Sequence, residues 1–131
     1  MKVEIFTLCD AATSHGGKLN ILGSFDMIII KQTPIVYPSC SVAIKLRFEK
    51  IEEGNKNLRI SFVDADGKPI LPPLEQTFTV KVAPDLSTAN ANLVLSIQRL
   101  KLENFGDYSI DLAIDGRLEG SIPLYIRKKS Q

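Results

Sequence analysis

SVAIKLRFEKI, residues Ser41 to Ile51, sets Val42, Ile44, Leu46 and Phe48 against Ser41, Ala43, Lys45, Arg47 and Glu49. Successive side chains of an extended chain point to opposite sides, so apolar residues at every second position share one face. One face is buried and the other wet, the pattern of an antiparallel sheet covered on one side. The same period returns along the chain. NLRISFVDADG groups Leu58, Ile60 and Phe62 and closes on Asp66-Gly67, a strong turn dipeptide. TFTVKV sets Phe78, Val80 and Val82 against Thr77, Thr79 and Lys81. YSIDLAIDG sets Tyr108, Ile110, Leu112 and Ile114 against Ser109, Asp111, Ala113 and Asp115. After the Asp115-Gly116 turn, a last strand places Leu118, Ile122, Leu124 and Ile126 on one side.

Elsewhere the pattern is less regular. MKVEIFTLC changes phase between Val3-Ile5 and Phe6-Leu8, which predicts a bulge or a strand covered on both faces. KLNILGSFDMIIIK reads as one strand with Leu19, Ile21, Phe25 and Met27 together and Gly23 as a bulge or bend. Leu19, Ile21 and Phe25 are expected to return the chain to the core. ANLVLSIQRLKLENFG fits a helix or a strand. It lacks an Ala-rich or Glu/Lys-rich face, and Val94 and Ile97 favour a strand with a phase slip between Ile97 and Leu100. A single helical turn is expected between Pro84 and Asn90, capped by Asp85 or Ser87. Pro123, inside the last strand, predicts an edge or a bulge there. About eight strands separated by turn signals predict a single all-β domain over residues 1–131, an antiparallel Greek-key β-sandwich.

A hydrophobic fraction of 44% and a charged fraction of 24% are those of an ordinary folded domain. Sixteen basic and fifteen acidic residues leave a net charge of +1, too little to draw in nucleic acid or an anionic membrane. Lys45 and Arg47 have no exposed aromatic residue interleaved for base stacking. Arg127, Lys128 and Lys129 read as a solvated chain end. Glu4 and Asp10 interrupt what would be the apolar region of a leader, and no apolar stretch approaches the ~20 residues of a membrane span. Two cysteines do not make a disulfide framework, so free thiols and a cytoplasmic location are expected.

Cys9, Asp10 and His15 are the residue types of a nucleophilic site. Neighbouring side chains on a strand diverge, however, and His15 precedes a Gly16-Gly17 turn with nothing to orient an imidazole. A buried strand cysteine and an exposed histidine are the plainer reading. Zinc wants about four ligands with a close pair, which Cys9, Cys40 and His15 do not offer, and no cofactor is expected. Asp64 and Asp66, with Asp107, Asp111 and Asp115, raise a C2-like calcium site, against which a hairpin turn and a wet strand face are the simpler account. The apolar run Met27, Ile28, Ile29 and Ile30, followed by Ile35, Val36 and Tyr37, is the candidate interface. Ile29 must point opposite to Ile28 and Ile30, and therefore meets either a covering loop or another chain.

LENFGDYSIDLAIDG leads from Gly106-Asp107-Tyr108 into an alternating strand. This resembles the tyrosine corner of immunoglobulin-like sandwiches, with Tyr108 at the matching position. There is no tryptophan, and no cysteine pair at the usual spacing. The opening MKVEIFTLCDAAT…GGKLNILGSFD and the closing FGDYSIDLAIDGRLEGSIPLYI resemble a family of short bacterial proteins known only as a domain of unknown function. That resemblance implies a compact β-sandwich and brings no catalytic residues. The expected role is a non-catalytic binding or scaffold module that contacts another protein chain. Self-association into a homo-oligomer is its simplest form. A C2-like calcium or ligand sensor comes second, and an enzyme built on Cys9 and His15 last.

Overall fold

Alternation of apolar and polar residues governs nearly the whole chain in the computed structural model, which describes residues 1–130. The strands are β1 (Lys2–His15), β2 (Lys18–Ser24), β3 (Met27–Ile30), β4 (Ile35–Glu49), β5 (Gly54–Val63), β6 (Leu74–Val80), β7 (Thr88–Leu102), β8 (Gly106–Ile114) and β9 (Arg117–Lys128). They form a four-stranded sheet, ordered β2-β1-β4-β7, and a five-stranded sheet, ordered β3-β9-β8-β5-β6. The inward residues of both sheets meet in one core. Val42, Ile44, Leu46 and Phe48 of β4 pack there with Leu58, Ile60 and Phe62 of β5 and Ile110 and Leu112 of β8.

The fold is all-β in two sheets, as the periodicity predicts, but the stretch expected as a single strand is divided. Phe25 N donates to Leu8 O (2.9 Å) in the first sheet, while Asp26 O accepts from Tyr125 N (2.8 Å) in the second. The chain thus changes sheets between adjacent residues. Leu19 and Ile21 stay behind on β2 and do not join the core cluster; Phe25 packs against it. In its new sheet β3 runs parallel to β9, where a wholly antiparallel arrangement was expected. No hairpin joins these two strands, so nothing local imposes the antiparallel direction.

Three phase changes have local causes. The register of β1 on β4 shifts between Val3 and Ile5, which returns Val3 to the side of Phe6 and Leu8. On β7 the buried residues pass from Leu93, Leu95 and Ile97 to Leu100 and Leu102, as the sequence predicts. Arg99 between them has a left-handed φ of 59°. β4 changes face at the same level, from Ile35 and Tyr37 to Cys40 and Val42, so the two strands stay in register. On β9 a bulge pairs Leu112 with Gly120 and Ala113 with Leu118. That extra residue turns Leu118 out to solvent, against its expected place beside Ile122.

The Pro84–Asn90 segment forms no helix. Leu86 N closes a turn on Ala83 O (3.0 Å), with Pro84 in a position that suits its fixed φ. Among the described residues the one helical turn is 3-10, Lys50–Glu52, held by a reciprocal capping box between Glu49 and Glu52. An edge or a bulge was expected at Pro123, but β9 lies inside its sheet between β3 and β8 and the bulge falls earlier, near Gly120. Two residues before Tyr125, Pro123 faces past the start of β3, where no carbonyl waits for an amide.

The hairpin of β1 and β2 outruns its sheet. β1 pairs with β4 only as far as Cys9–Ser41, then continues with β2 to a Gly16-Gly17 turn with φ of 58° and 74°. Both glycines occupy the left-handed region that a two-residue hairpin turn demands. Asn92 Nδ2 donates to Gly17 O (3.4 Å). Asn92 sits opposite Lys45, well back along the sheet from Ser41. To reach it, the ribbon must fold back over the outer face of β4. That explains why Ser41, Ala43 and Cys9 are buried although they lie outside the intersheet core.

Candidate interface at the β3 edge

β3 has a neighbour on one side only, and its residues divide as the sequence predicts. Ile28 is buried and Ile30 packs against the core. Met27 and Ile29 point the other way and are 45% and 60% exposed. No loop of the described chain closes over them. Ile35, Val36 and Tyr37 open β4 in the other sheet: Ile35 and Tyr37 pack on the core, and Val36 is exposed. The structure therefore gathers Met27, Ile28, Ile29 and Tyr37 around one hollow of about 400 Å³, and leaves Ile30, Ile35 and Val36 outside it.

Asp10 also lines this hollow. The sequence raised it as a member of the Cys9, Asp10 and His15 trio, not as part of this edge. Its carboxylate is accommodated by Gly23, whose φ is 68° and where a Cβ would stand 2.5 Å from Asp10 Oδ2. The Tyr37 ring packs at 6.0 Å from Phe25. Burial, with the nearby Asp10 charge, pushes the Tyr37 phenol above its ordinary range and keeps it a hydrogen-bond donor. At the other end of β3 a second hollow, about 380 Å³, is lined by Lys31, Lys128, Lys129 and Ser130. Lys129 N donates to Ile30 O (2.8 Å), which ties this end of β9 to β3. No spacing in the sequence joins Lys31 to residues near the C-terminus; the parallel pairing of β3 with β9 does.

The other candidate residues are dispersed. Cys9 lies at the base of the ribbon and His15 near its tip, six extended residues or about 20 Å apart. The Cys9 thiol donates to Ser41 O (3.4 Å), and burial followed by the Asp10 charge raises its pKa. Cys40 faces the core, and burial pushes its thiol up to about 11. Both thiols are free and held in the protonated form, the opposite of an activated nucleophile. Asp64 Oδ1 accepts from the amides of Asp66 (3.0 Å) and Lys68 (2.9 Å) and so shapes its own turn. Asp107 pairs with Arg127 at 2.6 Å, Asp111 accepts from Ser109 and Ser121, and Asp115 accepts from Asn57 N. Glu4 is engaged by Arg47, whose hydrogen bond and charge hold its carboxyl below the ordinary range. Among the described residues no three metal-ligating side chains cluster, and no helix is long and apolar enough to cross a membrane.

A family model described as a family of unknown function (DUF6941) matches residues 4–127. No curated protein matches the sequence. Among solved structures the chain is similar to a Pseudomonas fluorescens alkylpurine DNA glycosylase, AlkC, bound to DNA containing an abasic site analog. The identity is 12% and the TM-score 0.44, over 78% of this chain and 28% of that one.

Proposed function

Because the chain belongs to DUF6941, a family of unknown function, membership brings no activity with it, and we propose that the protein is a non-catalytic binding or scaffold module. It contacts another protein chain through the open edge of β3. The observation that supports this is the exposure of Met27 and Ile29 on a strand with a free edge, above a hollow bordered by Asp10 and Tyr37. A free edge offers unpaired backbone donors and acceptors, and an apolar patch beside it offers area to bury. Two unpaired, protonated thiols suit a reducing cytoplasm. The immunoglobulin-like element of the reading is supported by Tyr108, whose hydroxyl donates to Asn104 O (2.7 Å) in the preceding loop.

A photo-crosslinking residue placed at position 29 tests the reading in the living cell. Leu118, comparably exposed on another strand, is the control position. A discrete protein adduct from position 29, missing from position 118, is expected. No adduct at position 29 removes the proposal.

A further inference from the structure

The β3 edge has an order of charges along it. Asp26 precedes the strand and Asp10 lines the hollow beside Met27, while Lys31 follows the strand and shares the second hollow with Lys128 and Lys129. Over four residues, about 13 Å, the surface passes from two carboxylates to three ammonium groups. Among the described residues none of these five side chains is taken up in an ion pair.

The backbone is equally directional. Asp26 O accepts from Tyr125 N of β9, and Ile30 O from Lys129 N just past its end. Alternate residues of a parallel strand turn their polar groups to opposite sides. Asp26, Ile28 and Ile30 therefore face β9, and the N–H and C=O groups of Met27 and Ile29 point away from the sheet.

Building on the reading of this edge as a contact surface, we propose that its occupant is β3 of a second copy of the chain, added antiparallel across a two-fold axis at Ile29. Each Ile29 then exchanges two backbone hydrogen bonds with its counterpart, and the two side chains meet on the outer face of the joined sheet. The antiparallel direction carries the acidic end of each strand toward the lysine end of the other. A parallel arrangement would set like charge on like. A two-fold contact requires a self-complementary surface, and the charge order of this edge supplies one. The other edges are less suited. β7 is interrupted by the left-handed Arg99 and β2 by the left-handed Gly23, and β6 follows directly on Pro72-Pro73. Such features blunt an edge, and the four residues of β3 have none.

Sedimentation equilibrium over a range of concentration tests the pairing, using the native chain, Ile29→Asp, Asp26→Lys and Lys31→Glu. The native protein is expected to reach twice the mass of one chain. Ile29→Asp is expected to stay single with its melting temperature preserved. Each charge reversal alone weakens the dimer roughly tenfold or more, because like charges then face each other twice. An equimolar mixture of Asp26→Lys with Lys31→Glu recovers the native affinity, since opposite charges again meet at both ends. A native chain that is single at every concentration overturns the proposal. So does a dimer indifferent to the reversals, or a mixture no tighter than its components. If the native chain is single but position 29 still crosslinks to a different protein, only the self-pairing fails. With no adduct of any kind, the contact surface fails as well.

Discussion

β4 and β3 are both rich in branched aliphatic residues, yet they do different work. β4 is flanked by β1 and β7, and its inward residues Val42, Ile44, Leu46 and Phe48 are at most 1% exposed. β3 has one neighbour, four residues and two apolar side chains in solvent. An isoleucine at the centre of a sheet is used to hold the fold. The same residue on the outer face of an edge strand, as Ile29 is, is free to serve a contact, since burying or exposing it hardly alters the folded chain.

The largest effect should therefore come from β4. Phe48→Ala removes a fully buried ring that packs 5.9 Å from Phe78, and should lower unfolding free energy by about 3–5 kcal/mol in urea titration. An intact transition would mean that the core does not centre on this strand. Cys40 gives the same contrast a pH dependence. Its thiol titrates at about 11 instead of the ordinary 9.0, so the folded state favours the protonated form more than the unfolded state does. The resulting stabilisation is complete below pH 9.0 and is lost as pH rises through about 11. Melting temperature should fall over that interval, with a shallower fall in Cys40→Ala.

At the boundary between the two regions, Gly23→Ala forces a left-handed φ on alanine and drives its methyl into Asp10. A loss of about 1–3 kcal/mol is expected. Adding Asp10→Ala should return part of it, and strict additivity of the two changes would argue against the contact. The sharpest comparison lies within β3 itself. Ile28→Ala should cost about 2–4 kcal/mol, whereas the adjacent Ile29→Ser should alter single-chain stability by less than about 0.5 kcal/mol. Equal costs at the two positions would erase the division between a core face and a contact face.

Much of this was legible in the sequence. The alternation in β5, in β8, in β4 from Val42 and in β9 from Ile122, the Gly16-Gly17 and Asp115-Gly116 turns, and the outward direction of Ile29 all follow from local rules, whereas the bulge that turns Leu118 outward does not. The candidate site was only partly so. Met27, Ile28, Ile29 and Tyr37 come together as the apolar run suggests, but Ile30, Ile35 and Val36 fall outside the hollow. Asp10 and the Lys31, Lys128 and Lys129 group join the site by routes no local spacing contains.

By itself the sequence determined which residues extend, where the chain turns and which side of each strand seeks burial, because side-chain periodicity is a property of the strand alone. Only the tertiary structure decided that KLNILGSFDMIIIK divides between two sheets at Phe25-Asp26, that β3 lies parallel to β9, and that the β1–β2 ribbon folds over β4. A period of two looks the same in either sheet and beside any neighbour. The choice of neighbour rests on backbone hydrogen bonds between distant segments, which no short stretch of residues encodes.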